Sequence, residues 1–205
     1  AELTLTENIR ADVLALQQGS RNLNDGTAFV KTAEGALNEI SGILLRLRSL
    51  ASQSANGTIG DVERISTDLE YQASIQELDR IVATTEFNGT FLLDGTLAAS
   101  QPDAAHNVLQ LGVDSSSDNQ IDLNNILNLT NVGTASLGLT GSNITTQGAA
   151  FQALNDLTSS IDDLIQVRGR VGTTQIRMLH AFDNLKVQEE NLTAAVSTIR
   201  DADLA

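Results

Sequence analysis

Residues 151–199 read FQALNDLTSSIDDLIQVRGRVGTTQIRMLHAFDNLKVQEENLTAAVSTI. Within them Leu157, Leu164, Val171, Met178, Leu185, Leu192 and Ile199 return at steps of seven. A seven-residue apolar repeat draws a seam along one side of a helix, and the seam is stable only against another helix. The partner stands at the other end of the chain. Ile9, Leu16, Leu23, Val30, Leu37, Leu44 and Ala51 form a matching ladder. Two ladders at opposite ends of one chain predict a rod in which the first and last helices lie together.

One stretch of the first ladder argues against a helix. Gln18-Gly19-Ser20-Arg21-Asn22-Leu23-Asn24-Asp25-Gly26 has the residues of a loop, because Gly, Asn and Asp favour turns. The phase decides otherwise. Leu16, Leu23 and Val30 keep their step through it, and a true loop would reset the register. A continuous helix from about Thr4 to Ala55 follows, spanning roughly 75 Å. The same argument carries the C-terminal helix, from about Thr146 to Asp203, past Gly169 and Gly172, where it is locally weakened.

Between the ladders, Asn56-Gly57 supplies a turn, with Thr58 or Asp61 as the cap of a shorter helix that runs to about Thr85. Val62, Ile65, Leu69, Leu78, Ile81 and Val82 are expected on its apolar side. From residue 90 to 145 Gly, Ser, Thr, Asn and Asp dominate. Thr90–Leu93, Val108–Val113 and Gln120–Leu123 have strand character, the last two joined by the turn Asp114–Asn119. The expected fold is mainly α. Two long antiparallel helices and a shorter one make a rod, with a small β-hairpin region over one of its ends. Residues 1–86 and 147–205 form its two halves, and residues 87–146 the hairpin and loop region.

Composition agrees with a rod. Aromatics are only 3% of the 205 residues and there is no Trp; paired helices pack on Leu, Ile, Val and Ala, whereas compact cores draw on large rings. The net charge of −14 repels nucleic acid and anionic membranes. The chain has no Cys, which removes disulfides, thiolate metal sites and cysteine nucleophiles. No apolar run is long enough to span a membrane, and none at Ala1 has the form of a signal peptide.

The search for chemistry yields little. His106 and His180 stand apart in sequence, in no metal-ligand spacing. Asp114, Ser116, Asp118 and Asp122 alternate oxygen ligands as a calcium loop does, but the central Gly and terminal Glu are missing and a turn explains them as well. No catalytic, cofactor or metal residues are assigned, and an enzyme is not expected.

Several stretches resemble bacterial flagellins. Residues 20–26 (SRNLNDG), 32–40 (TAEGALNEI), 46–57 (RLRSLASQSANG), 78–81 with 86–90 (LDRI and EFNGT) and 197–205 (STIRDADLA) are similar to signatures of that family, in the family's order. The resemblance implies a core of helices with a β-hairpin, and a structural subunit of the extracellular flagellar filament that serves motility. It also implies the partners: other flagellin subunits in a homopolymer, an export chaperone and the filament cap, reached by secretion through the flagellar export apparatus. The family's outer domains would be reduced to about residues 96–145, and its terminal polymerisation segments would lie outside this sequence. A second implied role is recognition by the vertebrate toll-like receptor for flagellin. The matching residues are Arg46, Leu50, Gln53 and Glu70, a surface that also serves axial packing in the family. The hook–filament junction protein and a cell-surface flagellin homologue with a binding role are the alternatives.

Overall fold

The computed structural model describes residues 2–203. Leu204 and Ala205, the end of the last family-like stretch, lie outside the described residues. Helix α1 spans Glu2–Ala55 and helix α4 spans Gln147–Asp203, each about 80 Å long at 1.5 Å per residue. They run antiparallel, as three contacts along their length fix. Gln17 Nε2 donates to Glu189 Oε1 at 2.7 Å, Gln175 Nε2 to Glu34 Oε2 at 2.5 Å, and Gln147 Nε2 to the Ala55 carbonyl at 3.0 Å.

Both ladders face each other. Leu16, Leu23, Val30, Leu37, Leu44 and Ala51 are buried against Leu157, Leu164, Val171, Met178 and Leu185 in one continuous core. Ile9, Leu192 and Ile199 are only half-buried. Two helices alone cannot enclose a seam, and burial falls off where no third element covers it.

Helix α2, Asp61–Thr84, is that third element along one half of the rod. Its cap differs from expectation. Gly60, not Thr58 or Asp61, is the N-cap, and its N–H donates to the Glu63 carboxylate at 3.2 Å, the reciprocal half of a capping box. Asp61 and Glu63 occupy the first turn, where negative charge meets the positive helix end. The buried face also differs. Val62, Ile65 and Leu69 are exposed, Val62 by 82%. Arg64, Tyr71, Leu78 and Val82 point inward, with Ile81 half-buried against the core. Apolar residues stand on both sides of α2, so its own sequence does not select the side that meets α1.

Arg64 reaches the interior because backbone oxygens are waiting there. Its Nε donates to the Ser54 carbonyl at 2.8 Å, its Nη2 to the Asn56 carbonyl at 3.0 Å, and its Nη1 pairs with Asp61 at 3.0 Å. These bonds satisfy carbonyls at the end of α1 that the helix leaves unpaired.

Two small antiparallel ribbons follow. Strands β1 (Glu86–Phe87) and β2 (Thr90–Phe91) close around Asn88 and Gly89, both at positive φ. The strand expected at Thr90–Leu93 forms over its first two residues only, as β2. Leu92 and Leu93 lie in irregular chain with their side chains fully buried. Strands β3 (Val108–Gln110) and β4 (Gln120–Asp122) pair as expected, though shorter, and Leu123 opens the short helix α3, Leu123–Leu127.

The β3–β4 hairpin does not cover an end of the rod. It lies on the flank of α1, on the stretch that reads as a loop. A Cβ at Gly19 would stand 2.0 Å from the Leu111 carbonyl oxygen, and one at Gly26 would stand 2.3 Å from Leu109 Cδ1. Asn22 Nδ2, between them, donates to the Gln110 carbonyl at 2.8 Å. The loop-like composition is a notch cut into a helix so that a strand can approach its backbone.

Candidate interaction surface

The four candidate residues fall on neighbouring turns of α1 and α2, but not all on the surface. Arg46 and Glu70 meet across the two helices. Arg46 Nε donates to Glu70 Oε1 at 2.8 Å, with Nη2 on the same oxygen. Their side chains are 56% and 50% exposed, so the pair stays hydrated and contributes little to stability. Gln53 is exposed two turns further along α1. Leu50 is 2% exposed and belongs to the core. The structure therefore brings Arg46, Gln53 and Glu70 onto one accessible α1–α2 flank, with Leu50 packed beneath.

Helix α2 also carries Val62, Ile65 and Leu69 at i, i+3 and i+7, all exposed. Helix α4 has a longer row. Ile165, Ile176 and Val187 are exposed at steps of eleven, and eleven residues overshoot three turns by only about 20°. Leu179 is exposed on the same side. Gly169 and Gly172 fall within the row with nothing within 4 Å of a would-be Cβ. Near the ends of both helices, Arg10, Val13, Leu14, Thr193 and Val196 line a shallow apolar cleft of about 240 Å³.

A second cleft, of about 400 Å³, opens between α1 and the two ribbons, lined by Asp25, Phe29, Phe87, His106, Leu109 and Leu123 among others. Phe29 and Phe87 meet edge-to-face with ring centres 5.6 Å apart. Beside it lies a polar cluster that the sequence gives no means to find. Asn124 is fully buried. Its Oδ1 accepts the Asn107 N–H at 2.9 Å, and its Nδ2 donates to the Thr96 carbonyl at 3.0 Å. One amide thus ties two loop positions, Thr96 and Asn107, to α3.

The oxygen-rich run of the hairpin serves turns and caps. Asp114 Oδ1 accepts the Ser116 N–H at 2.9 Å and Asn119 Nδ2 at 2.7 Å; the Ser116 side chain first, then Asn119 and the Ser116 N–H, hold its carboxyl below the usual range. Asp122 caps α3, accepting the Asn125 N–H at 3.1 Å. Among the described residues no group of three or more His, Asp or Glu side chains converges as metal ligands do, and no helix is long and apolar enough to cross a membrane. His180 is exposed on α4.

The model for the bacterial flagellin N-terminal helical region matches residues 1–98, and that for the flagellin C-terminal helical region matches residues 150–205. A flagellin of Halalkalibacterium halodurans is 37% identical over 205 residues, which cover all of this chain and 71% of that protein. The chain belongs to the bacterial flagellin family. A flagellar filament 30.7 kDa core protein of Treponema maltophilum is 32% identical over 99% of this chain and 72% of its own length. Among solved structures, the crystal structure of Bacillus cereus flagellin superposes with a TM-score of 0.66 at 31% identity, covering 86% of this chain and 94% of that one. The two matched flagellin regions correspond to the two ladders. The stretch between them, residues 99–149, holds the β3–β4 hairpin and α3.

Proposed function

We propose that this flagellin-family chain is a structural subunit of the extracellular flagellar filament, and that it packs against other copies through the apolar rows on the outside of the rod. The observation that carries the reading is the row Ile165–Ile176–Val187 on α4, exposed on a helix whose opposite side is already buried. Single exposed apolar residues are ordinary on a protein surface, but an aligned row over several turns is the pattern of a helix awaiting a neighbour. Seeded polymerisation of the full-length protein on flagellin seeds, followed by sedimentation and electron microscopy, tests it. Filaments are expected from the wild type. Ile176→Asp with Val187→Asp should keep the helical circular dichroism and lose the filaments. Undiminished filament yield from that double variant would remove α4 from the contact, and no growth on flagellin seeds would remove the filament reading. Secretion and contacts with an export chaperone and a filament cap belong to the same reading.

A second role concerns the α1–α2 flank. Arg46, Gln53 and Glu70 present an exposed charged and amide surface that includes the Arg46–Glu70 pair and is supported by Leu50 from beneath. This is the surface we assign to the vertebrate toll-like receptor for flagellin. In receptor reporter cells Arg46→Ala should reduce signalling, while a change on the far side such as Asp183→Asn should not. Equal signalling from wild type and Arg46→Ala would count against the assignment.

A further inference from the structure

His106 sits in the loop that joins the two ribbons, and its imidazole is 2% exposed. Its Nδ1 lies 2.7 Å from Asp122 Oδ2 and its Nε2 lies 2.9 Å from the Gln101 carbonyl oxygen. A carbonyl has no proton to give. The Asp122 carboxylate also receives the Asn125 N–H on Oδ1 and Asn125 Nδ2 on Oδ2, so it faces the ring as an acceptor. Both ring nitrogens therefore face acceptors. A neutral imidazole has one N–H and can satisfy only one of them; the imidazolium satisfies both.

We propose that His106 is a pH-operated latch: doubly protonated, it bridges the Gln101 turn of the 95–107 loop to Asp122 at the β4–α3 corner, and loss of one ring proton gives up one of the two bonds, breaks the bridge and loosens the loop against that corner. The charged groups around it favour the closed form. Asp122 faces it from β4, Asp103 acts on it from the turn just before it, and Asp25 on α1 lines the same cleft. None of the other residues lining the cleft is basic. The hydrogen bond to Asp122, ahead of the opposing effect of burial, holds the imidazolium to higher pH than an ordinary histidine.

The opening would travel along defined bonds. The Gln101 side chain holds the Gly95 carbonyl at 3.0 Å, so release at Gln101 loosens the loop toward β2. On the other side Asp122 is the cap of α3, and the Leu123 N–H donates to the Asn107 carbonyl at 2.9 Å. Since the folded value lies above the unfolded one, the latch is fully stabilising below pH ~6.5 and is lost as pH rises through the folded value. Each pKa unit between the two states is roughly tenfold in the ratio of closed to open loop.

Nitrogen-15 NMR of the His106 ring in the wild-type protein is the direct test. Two protonated ring nitrogens are expected to persist at pH ~6.5, where an ordinary histidine is half neutral, with loss of one proton at higher pH than in the unfolded chain. Amide hydrogen exchange, corrected for its intrinsic pH dependence, should show protection at Asn107 and Leu123 falling between pH ~6 and pH ~9, while Leu37 on α1 keeps its protection. Asp122→Asn, which retains a capping side chain, should return the ring to an ordinary titration. A neutral single-tautomer ring at pH ~6.5, or equal protection of Asn107 and Leu123 at both pH values, would overturn the latch.

Discussion

The α1–α4 seam and the β3–β4/α3 region are held by different physics. In the seam, one residue in seven is a buried Leu, Val, Met or Ala, and each rung adds apolar burial independently of the next. The hairpin region buries fewer apolar side chains. It is held by Asn22, Asn124, Asp122 and His106, each of which joins segments distant in sequence. The difference teaches that a periodic interface tolerates local weakness, because neighbouring rungs remain, whereas a polar network depends on every member. An unpaired buried amide costs more than the bond it has lost.

The sharpest way to break the comparison is to cut a rung. Leu37→Ala, at a fully buried position, should cost about 2–5 kcal/mol in urea unfolding. It should leave the hairpin's exchange pattern in place until the rod itself unfolds. A loss confined to the hairpin would invert the argument.

Gly19→Ala tests the notch. Alanine raises helix propensity, but its Cβ would stand 2.0 Å from the Leu111 carbonyl, where backbone rather than a flexible side chain must move. We expect a net loss of about 1–3 kcal/mol and reduced exchange protection in β3 and β4 with helical content unchanged. A stabilised variant would mean the hairpin moves away without cost.

Next in size is Asn124→Ala, which leaves the Asn107 N–H and the Thr96 carbonyl without their partner. A loss of about 1–3 kcal/mol is expected, seen first as faster exchange at Asn107. The smallest effect belongs to Arg46→Ala. Removing this hydrated ion pair should change unfolding free energy by less than about 1 kcal/mol, and raising the salt concentration should shrink even that. A larger loss would show that the pair braces α2 on α1.

These regions were also unequally legible. Seven-residue phase was enough to run α1 through the Gly- and Asn-rich stretch at 18–26, because burial at Leu16, Leu23 and Val30 outweighs local turn preference. The purpose of that stretch was hidden, since a notch is visible only once the strand that fills it is placed. Helix α2 misled in the other direction. Val62, Ile65 and Leu69 are apolar yet face outward, and Arg64 is charged yet buried against carbonyls of the α1 end. Period alone cannot choose between two faces when both carry apolar residues. Of the candidate surface, the family resemblance named Arg46 and Glu70, but their meeting across α1 and α2 and the depth of Leu50 are seen only in the folded chain. Asn124 and the two-sided environment of His106 left no signature, because their partners are backbone groups and side chains far along the chain.

Because α1 and α4 run antiparallel, the first and last described residues lie at the same end of the rod. A load along the long axis is then shared by all rungs at once, in shear. A force that spreads the two ends apart meets them singly, beginning at the half-buried Ile9, Leu192 and Ile199 and reaching full resistance only at Leu16 and Leu185. The molecule is stiff as a strut and compliant as a zipper, and the compliance sits at the end that carries Ile9 and Ile199.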